Sequence, residues 1–157
     1  MLATKWADQF CSQAKSNGLD CVVVNRVNGW PETVTIDGWQ CFTKSVSYNA
    51  QRGLYFQGID PKKLEEKGDF VLVCGVAIGK LRDIFVIPWA DFFGTLERGK
   101  PVNTYRPPKE YWQYKLYLKD NGSSWVMSVQ GDDQPGLNVT RWRYDVDQAI
   151  SRLKRSA

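Results

Sequence analysis

Three polar residues, Asp20, Gln40 and Lys44, lie at or near the ends of strand-like segments and have side chains suited to metal-assisted hydrolysis. Alternate residues of a strand share a face, so Gln40 and Lys44 point the same way on one predicted strand. Asp20 approaches them if its own strand is the neighbour. The Asp20 carboxylate together with the Gln40 side chain or the Cys41 backbone carbonyl can hold Mg²⁺ by oxygen ligands, and a nearby Lys can orient or polarise water. The alternative is that Asp20 and Lys44 are ordinary strand-end residues in contact with solvent.

The residue types exclude several other chemistries. The chain has no histidine, which removes Ser-His and Cys-His catalysis and any His-ligated metal. The cysteines match no zinc spacing, and most lie in apolar strand-like runs, so we expect buried thiols. They are Cys11, Cys21, Cys41 and Cys74. Acid–base chemistry would therefore have to use carboxylates, Lys or Tyr.

A second set of carboxylates matches a nuclease pattern literally. Pro31-Glu32 is followed by Glu65-Glu66-Lys67. The second group lies at the charged end of a predicted short helix over residues 60–67. A solvated charge run is the favoured explanation for it.

Cations and aromatic residues alternate in the last third of the chain. The sequence contains seven Trp, seven Tyr and seven Phe, and its net charge is +4. The densest cluster is Arg141-Trp142-Arg143, and Lys109 and Lys115 lie in a second mixed run. Cations that contact phosphates and rings that stack on bases are the usual means of binding nucleic acid. The alternative is a hairpin whose rings lie in the core and whose cations face water.

Apolar periodicity and turn residues predict an α/β fold with a mixed central sheet flanked by helices and a C-terminal hairpin and helix. Helices are expected over residues 4–17, 60–67, 89–96 and 146–154. Strands of one sheet are expected over residues 19–24, 33–36, 39–43, 70–78 and 84–87. A short strand is expected at 54–56, a turn at Arg82-Asp83, and a hairpin over 111–118 and 125–129.

The order of these pieces resembles the PD-(D/E)XK, or restriction-endonuclease-like, superfamily across about residues 4–93. The pieces that carry the resemblance are Gly18-Leu19-Asp20, residues 39–45, Tyr55-Phe56, residues 69–73 and residues 84–88. The resemblance implies a restriction-endonuclease-like sheet, DNA as the partner, and a Mg²⁺-dependent DNA endonuclease of restriction or repair type. Asp20, Gln40 and Lys44 would then form the catalytic set.

The sequence departs from the superfamily pattern at the residues that matter most for catalysis. If Gln40 takes the carboxylate position, Phe42 stands where the Lys belongs; if Lys44 is the Lys, Phe42 replaces the acidic ligand. A phenyl ring neither binds a metal ion nor transfers a proton. We therefore expect weak or no catalysis, because a fold does not carry its activity with it.

Length and composition set the remaining expectations. A chain of 157 residues fits a single domain, with a nuclease-like core over about 4–93 and a peripheral hairpin and helix over about 105–157. We expect a cytoplasmic protein without a membrane segment. Three functions stay open: a nucleic-acid-binding protein with a degenerate nuclease site, an active endonuclease, and a protein–protein interaction domain.

Overall fold

Two β-sheets pack face to face, and two of the three described helices cover the outer side of the first. The computed structural model describes residues 2–27, 30–51, 53–59, 68–103, 107, 112–132 and 134–155. The helices in these residues are α1 (Leu2–Ser16), α2 (Trp89–Arg98) and α3 (Val146–Leu153). The strands are β1 (Cys21–Val27), β2 (Trp30–Ile36), β3 (Trp39–Ser47), β4 (Leu54–Ile59), β5 (Phe70–Ala77), β6 (Lys80–Pro88), β7 (Val102–Asn103), β8 (Trp112–Asp120), β9 (Trp125–Val129), β10 (Leu137–Asn138) and β11 (Arg143–Tyr144).

The first sheet has the order β1-β2-β3-β5-β6-β11 and is mixed, because β3 and β5 run parallel while the other neighbours are antiparallel. All five segments expected to share one sheet do so, and the mixed α/β class is confirmed. The parallel ladder extends β3 to Ser47, four residues beyond the predicted end, since Lys44 to Ser47 pair with β5.

Strand β5 is covered on both faces, as its continuous apolar run predicts. Phe70 and Leu72 face the core that α1 and α3 close, whereas Val71 and Val73 face the second sheet. Trp6 and Phe10 of α1 are buried, as expected from their helical spacing. The first sheet therefore separates two apolar cores.

The second sheet has the order β10-β9-β8-β4 and makes the other wall of one of these cores. Leu116, Leu118 and Met127 are fully buried and belong to the same apolar cluster as Phe42 and Phe85 of the first sheet. The C-terminal hairpin is thus part of the core and not peripheral. The sequence of β8 alternates only weakly between apolar and polar residues, because half-buried Lys and Tyr residues lie between the apolar ones. The apolar pattern therefore did not predict that this hairpin belongs to the core.

Turn chemistry places two hairpins. Asp37 and Gly38 both have positive φ, which is the conformation of a tight two-residue hairpin turn, so the predicted Asp-Gly turn is confirmed. The turn expected at Arg82-Asp83 is wrong. The chain turns at Ile78 and Gly79, whose φ values are 52° and 70°, and Arg82 and Asp83 lie inside β6.

Two expectations concern residues outside the described part of the chain. The helix predicted over 60–67 and its Glu65-Glu66-Lys67 group lie outside the described residues, whereas Pro31 and Glu32 lie in β2.

Among the described helices, none combines the length and the apolar character needed to span a bilayer.

Candidate functional site

The predicted catalytic residues do not converge. Strand β2 lies between β1 and β3, so Asp20, just before β1, is two strand spacings from Gln40, or about 10 Å. Gln40 and Lys44 are four residues apart on β3, which separates their Cα atoms by about 13 Å. The condition under which Asp20 would approach Gln40, that their strands are neighbours, is not met, because the Asp37-Gly38 hairpin places β2 between them.

Each of these residues has a structural environment of its own. Asp20 is exposed, and its backbone carbonyl accepts a hydrogen bond from the Asp37 N–H at 2.9 Å. The backbone of Gln40 is tied to Asp69: the Gln40 N–H donates to the Asp69 carboxylate at 2.9 Å, and the Asp69 N–H donates to the Gln40 carbonyl at 2.8 Å. Lys44 is half-buried and pairs with Val73 in the parallel ladder.

The proposed metal ligands do not fit a shared ion. Cys41 is fully buried in a strand paired on both edges, where carbonyl groups are engaged in the sheet, and Asp20 lies across β2 from it. Within the described ranges, no three Asp, Glu or Cys side chains gather in a group that could hold a metal ion. Burial also raises the pKa of the Cys41 thiol far above its ordinary value, which favours the protonated form over a thiolate ligand.

Phe42 lies between Gln40 and Lys44 on β3 and is packed away from solvent. Its side chain is fully buried, and its ring centroid lies 5.3 Å from that of Trp89. A Cβ added at Gly68 would come within 2.6 Å of the Phe42 ring, so the backbone there packs directly against it. Phe42 is a core residue between the two sheets.

A different group of side chains does converge, at the end of the molecule where β3, the β5–β6 hairpin and the β8–β9 hairpin meet. At its centre is Asp83, a buried carboxylate on β6 that is 4% exposed. It accepts hydrogen bonds from the Tyr48 hydroxyl and, at 2.7 Å, from the Arg143 guanidinium, and Arg82 lies 3.7 Å away. The carboxylate thus orients two guanidinium groups, since a buried charge requires partners.

Aromatic rings line the same place. Arg82 lies over the Tyr48 ring at 5.0 Å and Arg143 over the Trp125 ring at 5.4 Å, which is the distance range of cation–π contact. The two rings are 5.9 Å apart in an edge-to-face arrangement. Gly75 makes room for Tyr48, because a Cβ there would lie 3.0 Å from the Tyr48 ring.

Between these residues is an open cleft of about 290 Å³, which we call the basic–aromatic cleft. Its lining consists of Tyr48, Asn49, Ala50, Gln51, Gly53, Arg82, Lys119, Asp120 and Trp125. The Asp120 carboxylate accepts a hydrogen bond from the Gly122 N–H at 2.9 Å, so part of its charge is engaged in the local turn. Arg82, Lys119 and the adjacent Arg143 provide three cations at the cleft.

The predicted nucleic-acid-binding residues divide between this cleft and other places. Arg143 lies beside the cleft. The Arg141 guanidinium group lies over the ring of its neighbour Trp142, 4.3 Å from the ring centroid. Trp142 itself is buried and packs in the core between the two sheets. Arg141 and Arg143 do not lie on one strand, because residues 140–142 form a short 3₁₀ turn before β11.

Lys115 is half-buried on β8, and Lys109 lies outside the described residues. The nucleic-acid-binding roles predicted for these residues stay predictions.

Sequence reasoning did not identify Arg82, Asp83, Tyr48 and Lys119 as members of one group. Arg82-Asp83 resembled a turn, and the contacts of Tyr48 depend on long-range packing.

Comparison with models of known protein families found no match to this chain. Searches of curated proteins and of solved structures likewise found no match. The function is therefore argued from the chain's own residues. Val22 and Val24, which are 58% and 42% exposed on edge strand β1, keep the protein-interaction hypothesis open, since exposed apolar edge strands can pair with a partner.

Proposed function

We propose that this chain binds nucleic acid through the basic–aromatic cleft and has weak or no nuclease activity of its own. The observation that carries the proposal is the convergence of Arg82, Lys119 and Arg143 around the rings of Tyr48 and Trp125. Guanidinium and ammonium groups neutralise phosphates, and the oriented Arg fork suits a phosphate's oxygens. DNA is the favoured partner because of the superfamily resemblance.

The resemblance to the PD-(D/E)XK superfamily belongs to this proposal. It is supported by the placement of four of its five pieces in the first sheet or directly before it: residues 18–20, 39–45, 69–73 and 84–88. The fifth piece, Tyr55-Phe56, lies in β4 of the second sheet. Phe42 in the core and the separation of Asp20 from Gln40 favour the degenerate, binding form over an active Mg²⁺-dependent endonuclease.

The charge balance of the cleft is consistent with moderate affinity. Asp83 offsets part of the charge of Arg82 and Arg143, and it also fixes their positions. Lys119 makes no ion pair among the described residues and contacts the Tyr117 ring at 5.6 Å. It is the cation best placed to contact a phosphate without breaking an existing pair.

The test is a binding titration with a DNA oligonucleotide across salt concentrations. We expect the Arg82→Ala, Lys119→Ala double variant to bind more weakly, with a salt slope about two units smaller, since each lost phosphate contact removes about one. Arg82→Ala and Lys119→Ala do not remove either partner of the Asp83–Arg143 pair, so we expect both variants to fold.

Lys154→Ala is the matched control, because Lys154 is an exposed cation at the end of α3 in the helix layer, and it should leave the slope unchanged. The Arg141→Ala, Arg143→Ala double variant tests the pair of cations that the sequence predicts. Equal affinity and slope in all variants and wild type would contradict the proposed cleft.

A further inference from the structure

The outer face of the second sheet carries a pair of tyrosines next to the cleft. Leu116 and Leu118 of β8 are fully buried, so the alternating residues Lys115, Tyr117 and Lys119 lie on the opposite face. On β4, Leu54 is fully buried and Phe56 nearly so, which places Tyr55 on this outer face as well.

The two tyrosines are cross-strand neighbours. Tyr55 pairs with Tyr117 in the β4–β8 register, and their ring centroids are 4.9 Å apart with an angle of 33° between the planes. Both side chains are half-buried, and the next strand places Ser128 beside Tyr117, so a small polar residue adjoins the rings. Lys115 and Lys119 flank Tyr117 along β8.

We infer that this face is a stacking platform for the unpaired bases of a single-stranded nucleic acid. The inference rests on the proposed function and adds the class of nucleic acid. Aromatic rings on an open sheet face stack on bases without regard to sequence, and nearby cations take the phosphates. Base-paired duplex keeps its bases stacked on one another and unavailable to Tyr117.

The platform and the cleft form one continuous path. Lys119 belongs to both: it lies next to the Tyr117 ring and also lines the cleft with Arg82. The loop that returns to β4 runs beside it, since the Gly53 backbone packs against Leu118 and Lys119. A strand whose bases stack on Tyr117 therefore brings its following phosphates to Arg82.

The experiment compares three probes at one salt concentration: a 12-nucleotide single strand, an abasic strand of the same length, and a duplex of the same sequence. We expect the base-bearing strand to bind wild-type protein about tenfold more tightly than the abasic strand, which is the scale of stacking on one base. It should also bind more tightly than the duplex.

Tyr117→Leu removes the ring and keeps an apolar side chain. We expect it to lower affinity for the base-bearing strand to the abasic level, while the salt slope and abasic affinity stay the same. Tyr117→Phe keeps the ring and should retain the preference. Tyr144→Leu, which changes a half-buried tyrosine packed against the helix-side core, is the matched control. Thermal unfolding checks that each variant folds, and Tyr55→Leu provides a second platform variant.

The outcomes separate the two proposals. Equal binding of base-bearing and abasic strands, or tighter binding of duplex, would overturn the stacking platform and leave the cleft's phosphate binding intact. A base preference that survives both Tyr117→Leu and Tyr55→Leu would overturn this location. No binding of any probe would overturn the proposed function and the platform with it.

Discussion

Asp83 illustrates how one buried residue organises a surface. Its carboxylate holds the Tyr48 hydroxyl and the Arg143 guanidinium, and those two groups are attached to β3's end and to β11. Breaking a buried pair leaves one charge without its partner, which is generally costly. Asp83 is thus a positioning residue for the cations of the cleft. Its own negative charge also reduces the net positive charge there.

Ile78 is a residue-scale feature that stability measurements can test. It has a φ of 52°, is 99% exposed, and sits in the β5–β6 turn, where a β-branched side chain is poorly tolerated. We expect Ile78→Asn to raise the free energy of unfolding by about 1 kcal/mol, because Asn accepts the left-handed conformation more readily. Urea denaturation followed by circular dichroism measures this.

Ile78→Val is the matched control for that substitution, since it keeps the β-branch and should change the stability little. A lower stability for Ile78→Asn than for wild type would show that the turn does not impose this strain.

The low reactivity expected of the cysteines follows from their burial. The four cysteines lie in the described part of the chain, form no disulfide there and are buried, as expected from their apolar surroundings. Desolvation raises the pKa of Cys21 well above its ordinary value, and its neighbour Cys11 adds to the effect. The thiolate form of Cys21, which is the reactive one, is therefore suppressed, and the four buried cysteines act as packing residues.

At the scale of elements, helix α3 shows how local sequence supports the site. Asp145 and Gln148 form a capping box: the Asp145 side chain accepts from the Gln148 N–H at 2.7 Å, and the Gln148 side chain accepts from the Asp145 N–H at 3.1 Å. Asp145 directly follows β11, which carries Arg143. The cap thus fixes the helix start next to the cleft.

We expect Asp145→Ala to lower the free energy of unfolding by about 1 kcal/mol, because the cap bond to the Gln148 N–H is lost. Thermal or urea unfolding measures the change. Ser151→Ala, an exposed substitution farther along α3, is the control and should stay within about 0.5 kcal/mol of wild type. Equal losses in both variants would contradict a specific capping role.

The segment after α3 packs against the β2–β3 hairpin. The Arg155 N–H donates to the Asp37 carboxylate at 2.6 Å, the Arg155 guanidinium donates to the Asp37 carbonyl at 3.0 Å, and its charge lies 3.8 Å from the Trp39 ring centroid. These contacts join the last described residues to the β2–β3 turn. They explain how a strongly polar C-terminus contributes to an ordered layer.

At the scale of the whole molecule, the separation of the predicted catalytic residues leads to a prediction about catalysis. Metal-assisted hydrolysis needs an ion held by oxygen ligands and a group that positions the water. Asp20, Gln40 and Lys44 are spread over three strands' width and do not meet that need. We expect the purified protein to leave supercoiled DNA uncut with Mg²⁺ or Mn²⁺, as in the presence of chelator.

The controls use the same residues. Robust, chelator-sensitive cleavage that disappears in Asp20→Ala and Lys44→Ala would contradict the degenerate-site proposal and support the endonuclease. Cleavage that survives both substitutions points to a contaminant or to another site.

Much of the fold was predictable because it depends on local patterns. Apolar spacing in α1, the alternation or continuity of apolar residues in β1 to β6, and the Asp37-Gly38 turn are properties of short segments. Arg82-Asp83 was misjudged because two adjacent charges resemble a turn, whereas the β5–β6 register places both in a strand. The half-buried alternation of β8 likewise hid its role as a core strand.

The amino-acid sequence alone determined the three described helices and the longer strands of this protein, the exclusion of histidine chemistry, and the basic–aromatic composition of its last third. The tertiary structure alone decided which residues meet. Inserting β2 between β1 and β3 separates Asp20 from Gln40, and packing the second sheet on the first brings Lys119 to Arg82 and Tyr48. Secondary structure follows from neighbours a few residues apart, whereas a site depends on strand order and sheet packing, which join residues far apart in the chain.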